Sequence, residues 1–167
     1  MIHTIADFER HWSQELEATQ KILKHVTDKS LGQAVSPEGR TLGRLGWHIV
    51  TTIPEMMSRT GLTTAGPRPE DPVPSSAKEI FKSYNTAAIS LLEEVRSKWT
   101  DATLLQKDDM YGQLWTRAET LTYLIVHQIH HRAQMTVLMR QAGLAVPGVY
   151  GPAREEWAAW GMKPPEV

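Results

Sequence analysis

The sequence predicts an all-α protein, a four-helix bundle with a long crossover loop between its second and third helices. Three observations predict it. Apolar residues recur at three- and four-residue spacings in four separate stretches. Clusters of Gly and Pro divide these stretches, and the densest holds four prolines in eight residues. No run of convincing length alternates apolar with polar residues, as a half-buried strand would.

The first helix carries Ile5, Phe8, Trp12, Leu16, Leu23 and Val26 on one stripe. Glu9, Glu15, Glu17, Lys21 and Lys24 lie largely off it. Residues 28 to 40 contain Gly32, Pro37 and Gly39 and read as a loop. A second helix opens near Thr41, with Leu42, Leu45, Ile49 and Ile53 as its apolar row. Pro54 has no backbone N–H to give, so it is expected to kink this helix or end its regular bonding. Met56 and Met57 continue the apolar packing beyond it. Gly61, Gly66, Pro67, Pro69, Pro72 and Pro74 then make the crossover loop.

Ser76 followed by Glu79 predicts a capping box that starts the third helix, whose stripe is Ile80, Tyr84, Ala87, Leu91 and Val95. Residues 98 to 115 hold Trp99, Leu104, Leu105, Tyr111 and Trp115 without a clean period. Thr116 with Glu119 starts the fourth helix, and Gly143 is placed to end it. Leu121, Leu124, Ile125, Met135, Leu138 and Met139 repeat between them. The tail holds Pro147, Gly148, Gly151 and Pro152, with a short helix expected around Glu155 to Trp160.

The 167 residues suit a single domain spanning 1–167. Eighteen Lys and Arg against 19 Asp and Glu leave a net charge of -1, without the basic excess of a nucleic-acid binder. The absence of cysteine excludes disulfides, thiolate metal ligands and a cysteine nucleophile. The N-terminus has no apolar signal region, and no apolar stretch reaches membrane-spanning length. A soluble, cytoplasmic protein with no nucleic-acid or membrane partner is expected.

The chemistry lies in the histidines. His127 and His131 are four apart on the fourth helix, so their rings lie roughly 40° apart on one face. That spacing lets two imidazoles hold one metal ion. Their row also contains Leu124, Met135 and Leu138 and therefore points inward. His48, between the apolar residues of the second helix, is the third candidate ligand. Three histidines on two helices leave a coordination position for water or substrate. His130 is about 100° round from His131 and falls outside the set. His3, His11 and His25 belong to no visible constellation. Imidazole ligands suit zinc, nickel, copper or iron, with nickel or zinc the leading choices.

Rival motifs fail on single residues. HQIHH has the outline of H-E-x-x-H, but Gln128 stands where the general base belongs. No histidine has a glutamate three positions before it, which removes the di-iron carboxylate pattern. Phosphate-binding glycine loops and the G-x-S-x-G elbow are absent. Glu55 and Glu119 are the acids considered as a general base, neither with a local signal. Arg132 and the tryptophans Trp47, Trp115, Trp157 and Trp160 read as structural or interface residues before functional ones.

TLGRLGWHIV at 41–50, HQIHHRAQ at 127–134 and PGVYGPAREEW at 147–157 together resemble the DinB/YfiT family of small bacterial proteins. The resemblance runs from the first helix to the tail. It implies a four-helix bundle with a divalent metal on His48, His127 and His131, and a homodimer. It also implies damage-inducible expression, the origin of the family's name. Better-understood relatives are metal-dependent transferases or isomerases that use low-molecular-weight thiols such as bacillithiol or mycothiol. Two function classes follow. In one, the protein is an enzyme, a metal-dependent thiol S-transferase acting on an electrophilic small molecule, or else a metal-dependent hydrolase. In the other, the metal only locks the second and fourth helices in a dimeric binding or stress-response protein.

Overall fold

In a computed structural model of the chain, residues 2–164 and 166 are described. Helix α1 spans Ile5–His25. The Thr4 hydroxyl accepts from the Asp7 amide at 3.0 Å, and the Asp7 carboxylate accepts back from the Thr4 amide at 3.2 Å. Helix α2 spans Leu42–Ser58, with Thr41 accepting from the Arg44 amide at its start. Helix α3 spans Ala77–Lys98 and helix α4 spans Arg117–Gln141. The expected Thr116–Glu119 capping box is present. Gly143, at φ 72°, ends α4 with the paired bonds Gly143 N–H to Arg140 and Leu144 N–H to Met139.

Helices α1 and α2 each pack mainly against α3 and α4, so the order around the bundle is α1, α3, α2, α4. Phe8, Trp12, Ile22, Ile49, Ile53, Ile80, Tyr84 and Leu91 fill the middle. Gly46 marks a close approach there: a Cβ would stand 3.3 Å from Ile80 and 3.5 Å from Leu23 and Met135. The Trp47 indole is buried and donates to the Asp71 carbonyl at 3.0 Å, tying the long loop between α2 and α3 to the bundle. The tail's short helix is a single 3-10 turn, Trp157–Trp160.

Four features differ from the sequence reading or go beyond it. First, Ser76 precedes α3 but its side chain makes no cap bond. Asp28, 49 residues earlier, instead accepts from the Ala77 amide at 2.7 Å, so a distant carboxylate does the work of the local hydroxyl. Second, of the two outcomes expected at Pro54, a kink or an end, the end does not occur. Helix α2 continues to Ser58, because the missing donor is outweighed by burial of Met56 and Met57 on the next turn. Third, the segment 98 to 115 contains a 3-10 turn and most of a β-hairpin, with strands β1 (Lys107–Met110) and β2 (Gln113–Thr116). The strands pair antiparallel from Lys107 with Thr116 to Met110 with Gln113. Tyr111 and Gly112 between them both take positive φ, 61° and 83°, as a two-residue primed turn requires. Arg117 pins the hairpin: it bonds Asp108 at 2.9 Å, donates to the Thr60 carbonyl at 3.0 Å and lies 4.9 Å from the Trp99 ring.

Fourth, Glu15 lies off the apolar stripe of α1 and is nonetheless not exposed. It is buried and pairs with buried Arg132 at 2.6 Å across α1 and α4. Arg132 also donates to Thr19 at 3.0 Å, to the Glu15 carbonyl at 3.3 Å and to the Tyr150 hydroxyl at 2.9 Å. The Tyr150 hydroxyl in turn donates to the second Glu15 oxygen at 2.5 Å. Both charges thus have several partners, which is what makes their burial tolerable. Replacing Arg132 with Ala strands the Glu15 carboxylate. Urea denaturation of the metal-free protein is expected to show a loss of about 3–5 kcal/mol. A loss under about 1 kcal/mol, the value of an exposed pair, would contradict a structural role.

Candidate metal centre

Adjacency of α2 and α4 brings His48 against His127 and His131. Ring centroids are 4.8 Å apart for His48–His127, 4.7 Å for His48–His131 and 4.4 Å for His127–His131. One ring nitrogen from each lies within 4.8 Å of the other two. The His48 and His127 Nε2 atoms are 3.1 Å apart. Two imidazoles bound at roughly 2.0–2.1 Å to a tetrahedral ion have nitrogens about 3.3 Å apart, so this edge is already near a binding length. His131 Nδ1 lies 2.7 Å from the Gln134 amide oxygen. That oxygen can only accept, so Nδ1 carries the proton and Nε2 keeps its lone pair for a metal. Among the described residues, His127 Nδ1 is buried without a partner. The donor set fits a divalent ion of intermediate softness such as zinc or nickel.

Electrostatics keep the rings neutral. Burial pushes His48 down to about 4, aided by the neighbouring rings of His127 and His131 and the charges of Arg40 and Arg44. Burial likewise pushes His127 to about 4, with His131 and His130 adding to it. His131 is lowered by burial, against the Gln134 hydrogen bond that raises it. Neutral imidazole is the ligating form.

His48 and His127 form part of the floor of an open cleft of about 560 Å³. Its walls are Met56 and Val126 with the aromatic rings of Tyr111, Trp115 and Tyr123. Trp115 and Tyr123 rings are 4.6 Å apart. Glu55 also lines the cleft and accepts from the Tyr111 hydroxyl at 2.6 Å and from Arg59 at 2.9 Å. Burial, then the bond to Glu55, raises the Tyr111 phenol to about 12, so it holds its proton at neutral pH.

The other candidates separate cleanly. Glu119 is occupied in the cap of α4, whereas Glu55 faces the cleft. Gln128 is buried and accepts from the Tyr84 hydroxyl at 3.0 Å, so it faces the core. His130 lines the cleft but lies outside the three-ring group, and its Nε2 is 3.2 Å from the Gln134 amide nitrogen. Tyr111 was the residue that periodicity could not place, because it sits in a hairpin turn. Its one sequence signal was the following Gly112.

Two predictions follow from this geometry. Gln134→Ala frees the His131 ring and is expected to weaken zinc binding about 10–100-fold, measured by chelator competition. An unchanged affinity would remove Gln134 from the site. The second concerns pH. In the unfolded chain His48 and His127 take up protons near 6.5, but in the folded chain only near 4. The unfolded state therefore binds more protons as the pH falls, and stability drops with it. Urea midpoints of the metal-free protein are expected to fall between pH 6.5 and pH 4, and less steeply in His48→Gln. Parallel curves for the two proteins would contradict the assigned burial.

Comparison with known proteins agrees with this architecture. The model of the DinB family matches residues 1–164. Protein YrdA of Bacillus subtilis (strain 168), described as uncharacterized, is 46% identical over 167 residues, covering all of both chains. The crystal structure of a DinB-like protein from Bacillus cereus ATCC 10987 is 49% identical, with a TM-score of 0.87 over 90% of this chain and 100% of that one. The DinB-like protein YjoA of Bacillus subtilis shares the fold at 17% identity, with a TM-score of 0.69 over 88% of this chain and 99% of its own. From the first helix through the hairpin to the tail, the chain belongs to the DinB family.

Proposed function

We propose that the protein binds one divalent transition metal, nickel or zinc, on His48, His127 and His131. We further propose that it uses this centre to transfer a low-molecular-weight thiol to an electrophilic small molecule. One observation carries the reading: three imidazoles from two helices converge, and two of them, His48 and His127, line an open, aromatic-walled cleft. A metal that only braced the fold would be closed off by a fourth protein ligand. No further His, Cys, Asp or Glu joins the group among the described residues.

When bound, such an ion supplies Lewis acidity that lowers the pKa of a thiol or water. The protein's own residues account for the remaining requirements. Gln134 holds the His131 ring in one tautomer and orientation. Tyr111, Trp115 and Tyr123 offer an aromatic wall suited to an uncharged electrophile. The Tyr111 hydroxyl keeps its proton and can donate a hydrogen bond to an electrophile's oxygen once it leaves Glu55. Glu55 is then the carboxylate available to take a proton at the cleft wall. The chain has no cysteine, so the sulfur comes from a cosubstrate.

Metal content decides the first part. Mass spectrometry of untagged protein is expected to find about one equivalent of nickel or zinc, lost in both His48→Ala and His131→Ala. Circular dichroism of the variants confirms that the helices remain. A wild-type protein that takes up no metal on reconstitution would overturn the reading.

A further inference from the structure

The chain has ten arginines, and seven of them pair with Asp or Glu. Among the described residues, Arg40, Arg44 and Arg154 have no acidic partner. Two of these three stand at the same place, on either side of the start of α2. The charge of Arg40 bears on all three imidazoles, and that of Arg44 on His48. Arg40 also lines a second cavity, of about 400 Å³, in which it is the sole charged lining residue. His131 and Gln134 form part of its wall, and Leu45, Val137 and Leu138 make it apolar. It shares no lining residue with the aromatic cleft, so the histidine cluster stands between two separate compartments.

Arg40 is exposed at the rim of this apolar cavity, and its planar fork matches the two oxygens of a carboxylate. One lining cation balances one monoanion. A phosphate dianion would remain half uncompensated. The volume suits a small molecule, and the apolar wall suits a short hydrocarbon spacer between the anion and the histidines.

We propose that the cavity between Arg40 and His131 is a second ligand subsite, which takes a small molecule with a carboxylate on Arg40 and a metal-seeking group directed at the histidine cluster. The inference rests on the metal reading above and deepens it. The anionic cosubstrate enters on the Arg40 side, and the uncharged electrophile occupies the aromatic cleft.

Glutaric monohydroxamate and its methyl ester test this directly. They share one metal-binding head and differ in the carboxylate. Binding is read from the arginine Nε–H signals in nitrogen-15 NMR of the full chain, with and without zinc. With zinc, the acid is expected to bind on the order of tenfold more tightly than the ester, shifting the Arg40 signal saturably. Arg40→Gln is expected to remove that preference and leave ester binding unchanged. Without zinc, the acid still shifts the Arg40 signal, though more weakly, and the ester does not. Equal affinities in the wild type, or a preference that survives Arg40→Gln, would overturn the subsite. Failure to take up zinc is a different result. It overturns the metal reading, while the zinc-free titration still decides whether Arg40 holds the carboxylate.

Discussion

The buried pair between Glu15 and Arg132 is the constraint on which the geometry of α4 depends. A helix can turn about its own axis at little cost if its faces are equivalent, and α4 carries apolar and polar residues almost all the way round. Arg132 removes that freedom. Its guanidinium reaches the Glu15 side chain and carbonyl, Thr19 and Tyr150, on α1 and the tail. With Arg132 fixed toward α1, His131, about 100° away, is set toward α2. Gln128, one turn before Arg132, faces inward to Tyr84, while His127, one turn before His131, faces His48. The same helix therefore satisfies an ion pair on one side and gathers imidazoles on the other.

This arrangement also explains why the cluster sits between two compartments. His48 and His127 come from facing turns of α2 and α4 and open toward the hairpin. His131 lies one turn further along α4, level with the start of α2 and the Arg40 loop. Gln134 continues that row and fixes the His131 ring from outside. The hairpin is attached independently, through Arg117 to Asp108 and Thr60. Its Tyr111 and Trp115 shape the cleft from outside the four helices. Two of the cleft's wall residues thus stand on a two-stranded element, while the imidazoles stand on helices.

The parts legible in the sequence were those encoded locally. Helical periodicity and the Thr116–Glu119 cap located α4, and a four-residue spacing put His127 and His131 on one face. Apolar neighbours turned His48 inward. Two of the gaps share one cause, a partner remote in sequence. Nothing around Glu15 in the sequence signalled its burial, because Arg132 is 117 residues away. Ser76 had the right neighbour in Glu79, but Asp28 arrived from a different loop and took the cap. The hairpin strands are four residues each, too short for alternation to stand out. Glu55 had no motif at all. Its role comes from Tyr111, brought to it across 56 residues by the hairpin turn.

Glu55 and Tyr111 bear on whether the centre is built for chemistry or for bracing. A bracing metal needs only its ligands and a sealed surround. Here the accessible side of His48 and His127 is faced by a phenol that stays protonated and a carboxylate that accepts from it. Arg59 bonds the same carboxylate and lies 4.2 Å over the Tyr111 ring, so phenol, carboxylate and guanidinium hold one another in place. Tyr111 sits at φ 61°, an uncommon conformation for a residue with a side chain, stabilised by the Gly112 turn and these contacts. None of the three groups is needed to close the helix bundle, whose core lies beneath them. A proton donor and acceptor held beside His48 and His127 are what the proposed thiol transfer asks for and what a purely bracing metal does not need.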